Sequence, residues 1–202
     1  MSEKEIVQRQ ASTAIKQLKK HVHQCLSTSS LRILEEAYQG EAAVVMPIFE
    51  RGGKAHFLLT LRTQEVATHK GQISFPGGLR ESTDANLRET ALREMEEEVG
   101  IGKSDVEVVG PFHQYLSKTH FVVTPFVTFI NKGFSVSPNS REVERILEVP
   151  LDFFRCTEPR REVHERVLYF YDYEGDIIWG LTAAMIKDFI EILDGSHSRS
   201  VW

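Results

Sequence analysis

The 202-residue chain reads as an α+β protein: a mixed β-sheet covered by helices on both faces, with a helical extension ahead of it. Three observations predict this. Apolar, β-rich runs at 42–50, 55–63, 105–116 and 120–130 are interspersed with helical periodicity at 84–99 and 181–193, without the strict strand-helix alternation of a parallel sheet. RGGK at 51–54 and YEGD at 173–176 are turn signals between apolar runs, so both read as hairpins. Apolar residues at Ile6/Val7, Ala11, Ala14/Ile15, Leu18, Val22 and Cys25/Leu26 recur at helical spacing among lysine, glutamine and histidine, which predicts an amphipathic first helix.

The elements follow in order. STSS at 27–30 ends the first helix and caps a second short one over LRILEEAYQ. Together these form an extension, 1–40, ahead of a main domain, 41–202. The extension either packs on that domain or forms a homodimer contact. AAVVMPIFE and AHFLLTLRT pair through RGGK; ISFPGG and a polar ESTD lead into a helix from about Asp84 to Val99. DVEVVGPFHQYL and HFVVTPFVTFI are further strands, and SPNSREVE is a loop or short helix feeding EVPLDFF. HERVLYFYDYEGDIIWG forms the late hairpin, and LTAAMIKDFIEIL closes the chain as a helix, with Ala184, Phe189, Ile190 and Leu193 available for packing.

Composition narrows the partners. A net charge of -5 and a pI near 5.9 leave no global basic field, which argues against nucleic acid and membrane surfaces as partners. MSEKEIVQRQ carries no apolar leader core and no run reaches the ~18 residues of a membrane span, so the expected compartment is cytoplasmic. Cys25 and Cys156 lack zinc spacing and read as reduced packing residues. An anionic small molecule must then be met by local cations or by metal.

LREMEEEVG, residues 92–100, crowds four glutamates into little more than two helical turns. Like charges at i,i+4 cost a helix a few tenths of a kcal/mol each. With a turn of about 100° per residue from Leu87, Ala91, Met95, Val99 and Leu92 form the buried stripe. Glu89 and Glu96 fall among the solvated positions. Glu94, Glu97 and Glu98 fall on the flank, with Glu98 between Leu87 and Ala91 on the apolar side. A solvated, salt-bridged face accounts for Glu89 and Glu96. It fails for Glu98, because a carboxylate at the edge of a core needs a partner or loses several kcal/mol to desolvation. Three carboxylates at i, i+3 and i+4 supply hard oxygen ligands for Mg²⁺ or Mn²⁺, and the ion offsets their repulsion. Upstream, FPGG is a tight turn in which Gly77 or Gly78 brings backbone close to such an ion or to phosphate.

These residues resemble the Nudix box, GX5EX7REUXEEXGU with U aliphatic. Gly78 opens it, Asp84 stands at the first acidic position, and Arg93-Glu94-Met95-Glu96-Glu97-Glu98-Val99-Gly100-Ile101 matches the remainder. Aspartate replaces the first glutamate, and eight residues rather than seven separate it from Arg93. LLTLRTQEVATHKGQISFPGG, 58–78, is similar to the signature of the coenzyme A pyrophosphatase branch, LLTXR(S/A)X3RX3GX3FPGG. Leu58, Leu59, Thr60, Arg62, Gly71, Phe75, Pro76, Gly77 and Gly78 fit; Thr63 replaces the small residue and Ala67 the arginine. EVPL at 148–151 and IWGLTA at 178–183 look like later segments of that branch, so the similarity runs from about Ala42 to Leu193.

The resemblance implies a Nudix-type α/β/α sandwich that hydrolyses a nucleoside diphosphate linked to another moiety. It implies Glu94, Glu97 and Glu98 as ligands of Mg²⁺ or Mn²⁺, helped by the Gly77 carbonyl, with Arg93 holding the carboxylates in orientation. Glu142 and Glu144 in SREVE are candidates for general base, or else solvated loop charges. Coenzyme A or a thioester of it would be cut into 3′,5′-ADP and phosphopantetheine. Arg62, Lys70 and His69 are the candidate phosphate contacts, and Gly71, Phe75 and Gly78 fall in the substrate signature. Ala67 weakens the coenzyme A assignment specifically. The alternatives are an ADP-ribose or nucleotide-sugar diphosphatase, and a non-catalytic nucleotide-binding protein, against which the intact REMEEE speaks.

Overall fold

The computed structural model describes residues 3–35, 38–64, 70–164 and 166–195. After a long helix α1 (Glu3–Thr28) come strands β1 (Gly40–Arg51), β2 (Lys54–Arg62), β3 (Ile73–Ser74) and β4 (Gly77–Leu79), then helix α2 (Leu87–Val99). Strands β5 (Val106–Pro111), β6 (Tyr115–Leu116), β7 (Phe121–Ile130) and β8 (Val143–Pro150) follow, then the short helix α3 (Leu151–Cys156). Strands β9 (Arg160–Val163), β10 (Val167–Tyr173) and β11 (Asp176–Trp179) and helix α4 (Gly180–Leu193) close the chain.

Eight strands form one mixed sheet whose main path is β3-β2-β1-β7-β5. The β1–β7 pair is parallel and the other pairs are antiparallel. Strands β9 to β11 make a separate antiparallel sheet. The expected hairpins are present, with Arg51 opposite Lys54 and Tyr173 opposite Asp176. Both central residues of the second turn, Glu174 and Gly175, have positive φ, as a two-residue turn that matches strand twist requires.

One feature of the sheet positions the site. β1 pairs β2 only from Ile48 to Arg51, while its Ala42–Val44 stretch pairs β4; β2 in turn pairs β3 at Thr60 and Leu61. The two central strands therefore fork, and Ile73–Leu79, which contains the FPGG bend, fills the fork. α2 lies over one face, burying Ala91, Leu92, Met95 and Val99 against Ala43, Val45, Phe49 and Leu58. At about 1.5–3 kcal/mol for each buried Leu, Met or Val, this contact fixes which way the helix's polar flank points. The opposite face carries α1, α3, α4 and the small sheet around Phe57, Phe112, Phe154, Tyr171 and Phe189. The layers are thus helix, sheet, helix.

The structure departs from the sequence expectation at several elements. α1 forms as expected and docks on the main body through buried Val22, with the His21 Nε2 lying 2.8 Å from the Leu193 carbonyl. No second helix follows in residues 31–35: the Arg32 and Leu34 N–H groups donate to His113 Nδ1 and Gln114 Oε1, so the backbone is spent on tertiary bonds. Residues 36–37 of that expected helix lie outside the described set. α2 begins three residues later than expected because Asn86 caps it, its Oδ1 accepting from the Glu89 N–H at 3.1 Å. SPNSREVE is a loop that runs into β8, and β9 was not expected. Cys156 is exposed rather than packed, and both cysteines are free. Among the described residues no helix is long and apolar enough to cross a membrane.

Candidate active site

The helical phase of α2 is as the sequence predicts. Glu98 is only 2% exposed, Glu96 is exposed, and Glu89 pairs with Lys103. Glu94 is partly buried, its side chain 16% exposed, whereas Glu97 at 56% is exposed like Glu96 and more so than Glu89 at 32%. Gly100, at φ 72°, stops the helix with its N–H on the Glu96 carbonyl. The last two helical carbonyls, of Glu98 and Val99, accept from the N–H groups of Asn139 and Ser137 at 2.9 and 2.8 Å. The 137–142 loop is thereby fastened to the end of the acidic helix.

Arg93 is the hub of the exposed flank. Its Nε and Nη2 donate to Asp84 Oδ1 and Oδ2, each at 3.0 Å, in a two-pronged pair; Nη2 also reaches the Leu79 carbonyl at 3.1 Å. Its Nη1 donates to Glu94 Oε1 at 2.8 Å and Glu97 Oε2 at 3.0 Å. One guanidinium thus orients both glutamates, and Asp84 orients the guanidinium. Asp84 is buried and also accepts from the Thr90 hydroxyl and the Glu81 N–H, each at 2.9 Å. The Arg93 hydrogen bonds hold the Asp84 carboxyl far below the usual carboxylate range, and Asp84 in return raises Arg93.

Glu98 faces the other way. Its Oε1 accepts from Arg62 Nη1 at 2.8 Å, while its Oε2 is buried without a hydrogen-bond partner. Burial pushes its carboxyl up to about 7, opposed by Arg62 and the Gly77 N–H and reinforced by the charges of Glu94 and Glu142. Burial raises Glu94 as well, against the pull of Arg93. Glu142 stands on the far side of Arg62, 3.9 Å from Nη2, and accepts from the Asn139 side-chain amide at 3.1 Å. The FPGG bend comes close from below. A Cβ on Gly78 would lie 2.5 Å from the Glu94 carboxylate, and one on Gly77 would collide with the Ala43 carbonyl. Only glycine lets this backbone reach the acidic flank.

The structure brings together Gly77, Gly78, Arg62, Arg93, Glu94, Glu97, Glu98 and Glu142. It does not bring in Glu144, which is exposed on β8 and takes part in none of the site's hydrogen bonds or ion pairs. Lys70 is exposed. Gly71 serves the backbone: at φ 62° its N–H bonds the Arg62 carbonyl at 3.1 Å. Two expected substrate contacts have protein partners in the structure. Phe75 is 2% exposed and packs edge-on against Phe57, ring centroids 5.3 Å apart, so it anchors the bend from the core side. Arg62 donates to Glu98, and its Nε is buried and unpartnered. His69 and Ala67 lie outside the described residues. Sequence reasoning missed the roles of Asp84, Thr90 and Asn139. The box spacing pointed to Asp84; nothing local pointed to the other two.

Among the described residues no three His, Cys, Asp or Glu side chains are gathered as a ligand cluster. The backbone phase is right for convergence, but Glu94 and Glu97 are turned to Arg93 and Glu98 to Arg62. The residues nevertheless fit a hard divalent cation. The donors are all oxygen, Glu98 Oε2 is buried with an unused lone pair, and two carboxyls are raised by burial in a way that a nearby positive charge would relieve.

Residues 39–173 match the family model described as NUDIX domain. A Nudix hydrolase NudL of Photorhabdus laumondii, itself uncharacterised, is 38% identical over 156 residues, covering 74% of this chain and 83% of that protein. The peroxisomal coenzyme A diphosphatase NUDT7 of Mus musculus is 39% identical over 112 residues, 55% of this chain and 48% of the mouse protein. The match therefore spans about half of that relative's length. Among solved structures, the MutT protein from Methanosarcina mazei Go1 superposes with a TM-score of 0.52 at 23% identity, covering 81% of this chain and 97% of that one, a likeness of fold.

Proposed function

The chain belongs to the Nudix hydrolase family, whose members act on pyrophosphate bonds, and from that premise we propose that it cleaves the diphosphate of coenzyme A or its thioesters to 3′,5′-ADP and (acyl-)phosphopantetheine. The observation that carries the hydrolytic reading is the buried Glu98, flanked by Glu94 and Glu142 and tied by Arg62 to the strand that leads into the substrate signature. For the substrate, support comes from the signature residues at 58–78 and from the mouse relative whose name is coenzyme A diphosphatase. The departure at Ala67 favours a second reading, an ADP-ribose or nucleotide-sugar diphosphatase.

Glu94, Glu97 and Glu98, with the Gly77 carbonyl, would hold Mg²⁺ or Mn²⁺, and such an ion supplies Lewis-acid polarisation and charge neutralisation at the diphosphate. Arg93 keeps Glu94 and Glu97 on one flank, and Asp84 keeps Arg93 there. Arg62 opposes, without cancelling, the burial that raises the Glu98 carboxyl. Glu142, partly exposed on its loop, takes the proton of the attacking water as a P–O bond forms and the bridging P–O bond breaks. Phosphoryl transfer asks little covalent chemistry of a protein, so placing these charges is most of the work.

The test is product analysis after incubation with Mg²⁺ or Mn²⁺ and coenzyme A, its 3′-dephospho form, ADP-ribose and UDP-glucose. Faster cleavage of coenzyme A than of the dephospho form is the expected result. Equal rates on ADP-ribose would move the substrate to the second reading, and no cleavage of any of the four would remove the enzymatic one.

A further inference from the structure

A general base works only if its carboxylate stays where the water is, and Glu142 is a half-exposed side chain on a loop. We infer that Asn139 is a positioning residue for the hydrolysis, registering the Glu142 carboxylate against the helix that carries Glu98. The inference rests on the diphosphatase reading above.

Asn139 is bonded at every polar group. Its main-chain N–H donates to the Glu98 carbonyl at 2.9 Å, and its carbonyl accepts from the N–H groups of Glu142 and Val143 at 2.9 and 2.8 Å. Its side-chain Nδ2 donates to Glu142 Oε1 at 3.1 Å, and its Oδ1 accepts from the Arg141 N–H at 3.2 Å. Thr63, next to Arg62, closes the frame by donating its N–H to the Glu142 carbonyl at 2.9 Å. One residue therefore touches the end of the acidic helix with its backbone and the loop carboxylate with its side chain. Because the amide occupies Oε1, the oxygen left to receive a proton is Oε2, which lies 3.9 Å from Arg62 Nη2, beyond hydrogen-bond distance. A glutamate without such a contact samples several rotamers, and misplacement of a reacting group by about 1 Å costs up to 10²-fold in rate.

The experiment compares wild type, Asn139→Ala, Asn139→Asp, Glu142→Gln and the Asn139→Ala/Glu142→Gln double variant. The readouts are kcat and KM on the best substrate of the panel, melting temperature, and Mn²⁺ affinity by electron paramagnetic resonance. Both Asn139 variants keep the N–H bond to Glu98, so Mn²⁺ affinity should not change. We expect Asn139→Ala to lower kcat by about 10- to 100-fold with KM nearly unchanged, and to add nothing in the Glu142→Gln background, since a residue acting through another is silent once that other is gone. Asn139→Asp keeps the acceptor for Arg141 but sets a carboxylate against Glu142, so it should lose at least as much. Wild-type activity in Asn139→Asp, full additivity in the double variant, or a loss of Mn²⁺ affinity in the single ones would each overturn the inference while leaving the hydrolase intact. If wild type cleaves no diphosphate, the functional reading itself has failed, and the Asn139 role goes with it.

Discussion

Asp84→Asn should be among the most damaging single changes in the chain. Asp84 and Arg93 have side chains only 5% and 20% exposed and share two hydrogen bonds at 3.0 Å, so the discount for exposed ion pairs does not apply. Asparagine would remove the buried counter-charge on the Nε/Nη2 edge of Arg93, leaving Glu94 and Glu97 on Nη1, and turn an N–H₂ donor toward guanidinium donors. Breaking a buried pair by removing one partner costs about 3–5 kcal/mol, and at about 2–4 °C per kcal/mol for a chain of this size the melting temperature should fall by roughly 6–20 °C. The pH dependence gives a second handle. The folded Asp84 pKa lies far below its unfolded value of about 3.9, so its stabilisation is complete above that pH and is lost as pH falls through the folded pKa. By pH 3 the unfolded state's protonation alone removes about 1.3 kcal/mol. Urea melts of wild type and variant at pH 7, 4 and 3 should therefore show the gap narrowing toward acid. A variant within about 2 °C of wild type, or a gap that does not shrink, would refute the assignment of Asp84 as the anchor of the arginine hub.

Other outcomes follow from the same geometry. Glu98→Gln should lower turnover by several orders of magnitude with the fold preserved, because it removes the buried carboxylate proposed to hold the ion; Glu96→Gln, exposed, should be near neutral in steady-state assays. Adding Mg²⁺ or Mn²⁺ at about 100 times its dissociation constant should stabilise wild type by about 2.7 kcal/mol in thermal melts, and Glu98→Gln should lose most of that increment. Gly78→Ala should depress activity at least about tenfold, since the added methyl occupies the Glu94 carboxylate position; an active Gly78→Ala enzyme would mean the bend is free to move. Burial first, then the Arg32 charge, lowers the His113 pKa, so its contribution is full above about pH 6.5 and is lost as pH falls. Against His113→Gln, wild type should lose at most about 1.4 kcal/mol more between pH 7.5 and 5.5 in urea titrations.

Much of the acidic helix was legible before folding. Its period of 3.6 residues is a local property, so the burial of Glu98 beside Ala91 and the exposure of Glu96 could be read from spacing alone. The hairpins at RGGK and YEGD were legible because turn chemistry acts over four residues. The helix expected over 31–39 is absent from residues 31–35, where the N–H groups of Arg32 and Leu34 find acceptors about 80 residues away, on His113 and Gln114. Phe75 carried the signature of a substrate contact, yet packing against Phe57 put it in the core.

What the amino-acid order determined by itself is the inventory: the family, the helix that carries the carboxylates, and the glycines that let the FPGG bend come close. Tertiary structure decided the partners. Arg62 meets Glu98 across 36 residues of chain, and Asn139 joins Glu142 to the end of α2, because the fork between β1 and β2 and the docking of the 137–142 loop bring those ends together. Periodicity records which face of an element is apolar. It does not record which distant charge will lie against that face, since the choice is made by long-range strand register and by the desolvation of whichever groups end up enclosed.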